Sequence, residues 1–131
     1  MCKKQRFSTE TVSRRQQSFV QYALQLAETS TCRQRHGAVV VKGGSVLSRG
    51  INKIHNCPSI FPDTEQDNPY IDRISTHAEE AALRMVSPDS ARGATLYVVR
   101  VLKDGTPGYS KPCPRCQSLI DSMGIKKVVY S

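Results

Sequence analysis

Two short segments of this 131-residue chain carry side chains that could bind one metal ion together. The first is His77-Ala78-Glu79, and the second, Pro112-Cys113-Pro114-Arg115-Cys116, begins 33 residues after Glu79. The cysteine pair opens a predicted helix, and residues three apart share a helix face, so both sulfurs can reach one ion. A helix N-terminus also lowers the pKa of a thiol, which favours the thiolate that binds metal. We therefore predict Zn²⁺ held by His77, Cys113 and Cys116.

Three protein ligands leave the fourth tetrahedral position of zinc open for water, which is typical of a catalytic rather than a structural site. Zinc brings the pKa of that water down to about 7. Glu79 lies two residues beyond His77, about 200° around an ideal helix, so the two cannot share one face. They can still converge if the substrate approaches the helix end-on. A carboxylate beside the water can shuttle protons, so we predict Glu79 as the catalytic acid–base group.

The combination of H-x-E with P-C-x-x-C is the signature of zinc nucleobase deaminases. From Thr31 to Tyr130 the chain resembles the cytidine/deoxycytidylate (dCMP) deaminase superfamily. This resemblance implies an enzyme that hydrolyses the amine from a cytosine ring, with Glu79 relaying the proton and ammonia leaving. It also implies that the backbone N–H of Ala78 holds the base carbonyl and that the Pro112 carbonyl accepts from the amine.

Within that superfamily the chain looks most similar to the dCMP deaminases of phages and eukaryotes. Three segments carry the likeness: Cys32 followed by Gly37-Ala38-Val39-Val40, Gly50-Ile51-Asn52-Lys53, and Gly124-Ile125-Lys126-Lys127-Val128-Val129-Tyr130. In the family, the asparagine of the second segment contacts the sugar, which implies this role for Asn52. The usual aromatic and glycine of that segment are replaced by Ile51 and Lys53, so we do not expect an allosteric triphosphate response.

The elements that must position these residues follow from hydrophobic periodicity. The pattern predicts a helix capped by Thr9 and ending near Ser30, a hairpin of strands 37–43 and 45–51, a long loop or lid over 53–76, a helix over 77–85, a strand over 94–102, a helix over 113–123 and a strand over 125–130. The last two strands flank a helix and should be parallel by the right-handed crossover rule. We therefore expect an α/β fold of three α/β/α layers, cytidine deaminase-like, with a mixed sheet built from a β-hairpin and then αβαβ.

We expect a single domain over residues 9–131, preceded by a loose basic tail over residues 1–8. Compared with the family, the fold is truncated after the fourth strand, because the fifth strand and the C-terminal helix are missing. The edge of the last strand must then be short, protected or covered by a partner. We expect a homo-oligomer on this ground.

The net charge of +8 sits entirely in the first part of the chain, where residues 1–58 hold ten Lys or Arg against two acids. Residues 59–131 hold nine of each sign. Such a field attracts phosphate, either on a small-molecule nucleotide or on a nucleic acid, or it is only a solvated basic face. For the 5′-phosphate of a nucleotide, the basic candidates are Lys53, Arg73, Lys111 and Arg115.

Five unevenly placed cysteines favour metal or thiol chemistry in a reducing cytosol over a disulfide scaffold. No run of about 18 apolar residues is present, and no apolar stretch follows the charged N-terminus, so we expect neither a membrane span nor a secretory signal. We expect a cytoplasmic protein, or one in the host cytoplasm if a phage encodes it. A second, structural zinc could use Cys32, His36, His55 and Cys57; the alternative is two buried thiols and two surface histidines.

Three functions compete. The first is deamination of a free cytosine nucleotide, dCMP to dUMP, which the long loop over 53–76 favours as a lid. The second is a polynucleotide deaminase acting on cytosine or adenine in single-stranded DNA or RNA, which the basic first half favours and the absence of Trp disfavours. The third is a non-catalytic zinc module that binds nucleic acid, against which the presence of Glu79 argues.

Overall fold

The computed structural model describes residues 2–6, 13–54 and 75–131. Its strands are β1 (Lys3–Arg6), β2 (Arg35–Lys42), β3 (Ser45–Ile51), β4 (Lys53–Ile54), β5 (Ser75–Thr76), β6 (Thr95–Val101), β7 (Pro107–Gly108) and β8 (Lys127–Tyr130). Its helices are α1 (Arg14–Glu28), α2 (Ala78–Arg84), α3 (Pro88–Ala91) and α4 (Pro114–Ser122). No described helix combines the length and the apolar character that a membrane crossing requires.

The main sheet is mixed, as predicted, and has the strand order β1-β8-β6-β2-β3, with β7 beside β6. The glycine turn at residues 43–44 joins β2 to β3 as an antiparallel hairpin. Strand β6 runs antiparallel to β2 and parallel to β8. The crossover through α4 between β6 and β8 explains the parallel pair, because a parallel connection needs a helix-length return.

Both faces of the sheet are covered, which confirms the three-layer prediction. Alternate side chains of the central strands point to opposite faces. One face carries Ala38, Val40, Leu96, Val98 and Val128, which pack against the helices that lie in the second half of the chain. The other carries Val39, Val41, Tyr97, Val99 and Val129 against α1. The central strands read as continuous apolar runs because both of their faces are buried.

Helix α1 begins at Arg14 rather than near Thr9, which lies outside the described residues. Its N-cap is Ser13, whose side chain accepts from the backbone N–H of Gln16 while the Gln16 side chain accepts from the Ser13 N–H. This reciprocal capping box satisfies two N–H groups that the first helical turn leaves without partners. The sequence Ser-x-x-Gln was therefore the true start signal of this helix.

The prediction of a loose tail over residues 1–8 was wrong for residues 3–6, which form β1. This strand pairs in parallel with β8, from Lys3 opposite Lys127 to Arg6 opposite Tyr130. The edge of β8 is thus covered by the chain itself. The new edge is short and carries exposed Lys3, Lys4 and Arg6, charges that discourage pairing with another sheet.

The predicted loop or lid over 53–76 is closed at its base by strand pairing. Lys53 lies opposite Thr76, and Ile54 lies opposite Ser75, in a two-stranded antiparallel ladder. The ends of this segment are therefore β4 and β5 rather than loop. Residues 55–74 lie outside the described residues, so the lid stays a prediction.

Gly50 lets α2 pack directly on β3. A Cβ atom at this position would lie 2.5 Å from the Ala82 nitrogen and 2.7 Å from the Ala78 oxygen, both backbone atoms. The first turn of α2 can approach the sheet this closely only because residue 50 has no side chain. The position of the His77-Ala78-Glu79 segment therefore depends on a glycine 27 residues before it.

We expect Gly50→Ala to destabilise the fold by about 1–3 kcal/mol, because backbone atoms of α2 must move to admit the methyl group. Gly108→Ala is the matched control, since the added Cβ would meet side-chain atoms of Leu102 and Arg100 rather than backbone atoms. Urea unfolding of both variants measures the difference. Equal losses of stability would contradict the close-approach argument.

Candidate functional site

The three predicted metal ligands meet at one point. The nearest ligand atoms of His77, Cys113 and Cys116 all lie within 4.8 Å of one another. The His77 Nδ1 atom is 3.2 Å from the Cys116 sulfur and 3.7 Å from the Cys113 sulfur. This is the only cluster of at least three such side chains in the described part of the chain.

Helix starts bring the ligands together. His77 is the N-cap residue of α2, and Cys113 is the N-cap residue of α4. Pro114 at the first position of α4 suits a site where the backbone N–H has no helical partner. Cys116 then falls one turn into α4, and its backbone N–H lies 3.5 Å from the Cys113 sulfur. Two helix N-termini therefore present one imidazole and two sulfurs to the same space.

Glu79 reaches the same space although it is two residues past His77. Its side chain is buried, with 5% of its surface exposed. Its carboxyl group lies next to the Cys116 thiol, so that each affects the pKa of the other. Burial raises the pKa of this carboxyl, and the neighbouring Glu80 adds to the effect, while His77 opposes it. A carboxyl whose pKa is raised is suited to taking up and returning a proton near neutral pH.

The chemistry of the ligand set fits zinc. Burial raises the pKa of the Cys116 thiol, and the nearby Glu79 and Cys113 raise it further. The helix N-terminus therefore does not lower this pKa by itself, contrary to the sequence expectation. A divalent cation reverses the balance, because a coordinating thiol gives up its proton. One nitrogen and two sulfurs are the three-ligand set that leaves a tetrahedral position for water.

Glu80 joins the two helices that carry the ligands. Its carboxylate oxygens accept from Arg115 on α4 at 2.7 Å and from Arg84 one turn along α2 at 3.2 Å. Glu80 is 16% exposed, whereas the two arginines are more than half exposed. Arg115, a sequence candidate for phosphate binding, therefore forms an ion pair between the two helices.

A cavity of about 340 Å³ opens next to the ligands. Four of its lining residues belong to the two segments of the ligand cluster: His77, Ala78, Glu79 and Cys113. Basic side chains border it as well, and all of them are exposed at their tips: Arg33, Lys53 and Lys111. Lys53 and Lys111 were predicted from the sequence, but Arg33 was not, since it is one of many arginines in the basic half. Arg73, the remaining candidate, lies outside the described residues.

The loop before Cys113 is bonded to the middle of β6 and to the residue that follows β8. Ser110 is buried and borders the cavity. Its hydroxyl donates to the Val98 carbonyl at 2.8 Å and lies 2.9 Å from the Ser131 hydroxyl. The Ser131 N–H donates to the same Ser110 oxygen at 2.9 Å. These bonds place Pro112, which is buried two residues later, beside the ligand cluster.

Of the two backbone groups that the resemblance implies, the Ala78 N–H borders the cavity, whereas the buried Pro112 is not among the residues that line it. Ala78 is the first residue of α2, so its N–H has no partner within the helix. It is fully buried and borders the cavity. Pro112 is followed directly by the ligand Cys113. Their contacts with a base stay predictions.

Asn52 borders the cavity, but its side chain is largely committed to the protein. Its Oδ1 accepts from the His36 N–H at 2.8 Å and from the Ser30 hydroxyl at 2.7 Å. Its Nδ2 donates to the Gln34 carbonyl at 2.5 Å, which leaves one N–H for a ligand. The contact with a sugar implied by the resemblance is therefore open only to that N–H.

The second zinc stays a prediction. Cys32 and His36 both border the cavity, and the Cys32 thiol donates to the Asn52 carbonyl at 3.4 Å. His36 is mostly buried, and burial lowers its pKa, so it is neutral at pH 7 and could act as a ligand. His55 and Cys57 lie outside the described residues.

We expect one zinc per chain in the purified protein, and we expect Cys113→Ser to weaken zinc affinity by more than about 100-fold, a larger loss than removal of an outer partner causes. Cys32→Ser is the control, because it makes the same substitution outside the three-ligand cluster. Atomic absorption after dialysis against a graded chelator measures both. Zinc retained by Cys113→Ser would exclude the assigned ligand set, and a wild-type content near two that falls by one in Cys32→Ser would establish the second site.

Two solved structures of one phage enzyme are similar to this chain. The dCMP deaminase from the cyanophage S-TIM5 in apo form is 28% identical with a TM-score of 0.65, covering 95% of this chain and 84% of that one. The same enzyme in complex with dCMP and dUMP is 30% identical with a TM-score of 0.65, covering 95% and 82%.

A structure from a study of A-to-I editing by tRNA:A34 deaminases is also similar. It is 26% identical with a TM-score of 0.53, covering 88% of this chain and 75% of that one. Among curated proteins, no sequence gives a significant match. The family model of the cytidine and deoxycytidylate deaminase zinc-binding region matches residues 13–131. With its ligand cluster and carboxyl group in one cavity, this chain belongs to the cytidine and deoxycytidylate deaminase family and is a hydrolytic deaminase.

Proposed function

We propose that this protein converts dCMP to dUMP with release of ammonia. The observation that carries the proposal is one cavity that is lined both by Glu79 with His77 and Cys113 of the metal cluster and by three basic residues, Arg33, Lys53 and Lys111. A cytosine base matches the carboxyl and the metal cluster, and a 5′-phosphate matches the basic residues. The cyanophage relative with 30% identity was solved in complex with dCMP and dUMP, which supports this substrate class.

When bound, zinc activates water as a nucleophile near neutral pH. The residues of the chain then orient the base and move protons. The Ala78 N–H donates to the base carbonyl, and the Pro112 carbonyl accepts from the exocyclic amine. Water forms a bond to the ring carbon that bears the amine, and Glu79 takes a water proton and passes it to the adjacent ring nitrogen. Glu79 then moves the second proton to the amine, the carbon–nitrogen bond breaks, and ammonia leaves a uracil ring.

Glu79 is placed for this relay because it reaches the cluster without belonging to the ligand set. Its carboxyl group lies next to Cys116 and therefore beside the metal position. Burial excludes bulk water from the carboxyl, so the proton that it carries is not exchanged freely with solvent. A non-catalytic zinc module would have no use for a buried acid here, which argues against the third function.

A polynucleotide deaminase is the second candidate. The net charge of +8, all of it in residues 1–58, favours a phosphate backbone as partner. The similarity to a structure from a study of tRNA:A34 deaminases also supports this second candidate. The cavity border itself carries three basic side chains, which is enough for one phosphate group. We therefore favour the free nucleotide, in a cytoplasmic protein. Because β1 covers the edge of β8, the ground on which we expected a homo-oligomer no longer applies.

We expect ammonia release from dCMP to exceed that from deoxycytidine, cytidine and single-stranded oligonucleotides. Glu79→Gln should lower kcat for dCMP by about 10²–10⁴-fold, because the proton relay is lost while the size of the side chain is kept. Glu28→Gln is the matched control; it makes the same substitution at an exposed position of α1 that does not line the cavity, and it should keep the activity. Activity surviving in Glu79→Gln would refute the relay, and a salt-sensitive preference for oligonucleotides would favour the second candidate.

We expect Arg33→Gln to raise KM for dCMP by about tenfold, since a charge-assisted hydrogen bond to phosphate is lost. Deoxycytidine has no phosphate, so its kcat/KM should stay unchanged. Arg49→Gln is the control, because Arg49 is exposed on β3 away from the cavity and bonds the Tyr22 hydroxyl. Steady-state kinetics of both variants with both substrates measures the effect. An equal loss with dCMP and deoxycytidine would exclude Arg33 from phosphate recognition.

A further inference from the structure

One wall of the cavity is formed by residues 32–36. Residues 32–34 form bends between α1 and β2, and residues 35 and 36 begin β2; Cys32, Arg33, Gln34 and His36 line the cavity. This wall carries Arg33, the side chain that we assign to phosphate. Neither helix nor sheet bonding holds these bends, so other groups must set their position.

Asn52 and Ser30 supply those groups. Asn52 bonds three backbone groups of the wall: its Nδ2 donates to the Gln34 carbonyl, its Oδ1 accepts from the His36 N–H, and its own N–H donates to the His36 carbonyl at 3.3 Å. The Ser30 hydroxyl oxygen accepts from the Cys32 N–H at 3.2 Å. The wall is thus bonded at residues 32, 34 and 36.

Ser30 also binds Asn52 itself. Its single hydroxyl hydrogen has two acceptors in reach, the Asn52 Oδ1 at 2.7 Å and the Asn52 backbone oxygen at 2.9 Å. Only 5% of the surface of Ser30 is exposed, and Ser30 does not border the cavity. A substrate therefore cannot touch Ser30, whereas it can touch Asn52. This difference separates a positioning role from a contact with substrate.

We propose that Ser30 and Asn52 are positioning residues that hold the 32–36 wall of the cavity and thereby place Arg33 for the phosphate of the nucleotide. The phosphate part rests on the proposed function, while the hold on the wall does not. This role differs from the sugar contact that the family resemblance implies for Asn52, because it runs through bonds of Asn52 to the protein. It also assigns a function to Ser30, which the sequence pattern did not mark.

The test uses the zinc-loaded full chain with Ser30→Ala. The control is Thr29→Ala, which removes a neighbouring hydroxyl that bonds only the Leu26 carbonyl of its own helix end. Hydrogen–deuterium exchange of peptides covering residues 31–36 reports on the wall without any nucleotide. Titration calorimetry with dUMP and with deoxyuridine reports on phosphate recognition without any turnover.

In Ser30→Ala we expect faster amide exchange in the wall, because buried hydrogen bonds that hold it are lost. We expect dUMP binding to weaken by about tenfold and deoxyuridine binding to change by less than about twofold, because the wall carries the phosphate-binding Arg33 and not the base-binding groups. The KM for dCMP should rise with little change in kcat, and zinc content should not change. Thr29→Ala should match the wild type in all of these. Unchanged exchange in the wall, or an equal loss of dUMP and deoxyuridine binding, would overturn the proposal.

If Ser30→Ala does not fold, the pair Ser30→Thr and Ser30→Val replaces it, because the two side chains have nearly the same shape and differ in the hydroxyl. We expect Thr to keep wall protection and dUMP binding that Val loses; no difference between the two would overturn the proposal. A wild type that neither binds dUMP nor deaminates dCMP would refute the proposed function. Faster wall exchange in Ser30→Ala would still support the hold on the wall.

Discussion

An imidazole, two sulfurs and a carboxyl group converge in a largely buried space beside the cavity, and this convergence constrains everything around it. Buried ionisable groups are costly unless they are paired or coordinate a metal. Burial raises the pKa of both Glu79 and the Cys116 thiol, so the cluster favours its neutral forms until a cation is present. A divalent cation removes this penalty, because its positive charge stabilises the thiolate forms of the cysteines. The same low-dielectric surroundings then strengthen each electrostatic contact with a substrate.

Bringing these groups together requires two helix starts to meet, and three features of the fold achieve it. The crossover between the parallel strands β6 and β8 sets where α4 begins. The missing side chain at Gly50 allows the first turn of α2 to lie against β3. The ion pair between Glu80 and Arg115 connects α2 to α4. Sheet pairing, steric fit and an ion pair therefore act at three different places, and together they set the relative position of the two helix starts.

The two ends of the cavity are built differently. The ligand end stands on helix starts and on the buried Ser110–Ser131 hydrogen bonds, where the chemistry needs fixed distances. The wall that carries Arg33 consists of bends held by Ser30 and Asn52. A phosphate group tolerates more variation in position than a reacting carbon does, since a charged group attracts it over several ångströms. This division is consistent with regular elements at the reactive end and side-chain hydrogen bonds at the anionic end.

The amino-acid sequence by itself determined the features that depend on neighbours along the chain. The spacing of Cys113 and Cys116, the helix start at His77, the apolar runs of the central strands and the parallel β6–β8 pair could all be predicted, because periodicity and connection rules act over short distances. The Ser13–Gln16 capping box was equally local, and its pattern could have marked the start of α1. Tertiary structure alone decided the rest. Lys3–Arg6 became a strand because the edge of β8 offered partners to a polar segment without strand periodicity. Arg115 met Glu80, 35 residues away, and Asn52 met Ser30, 22 residues away, because the path of the chain brought them together. Contacts over such separations depend on the whole packed arrangement, and no local pattern encodes them.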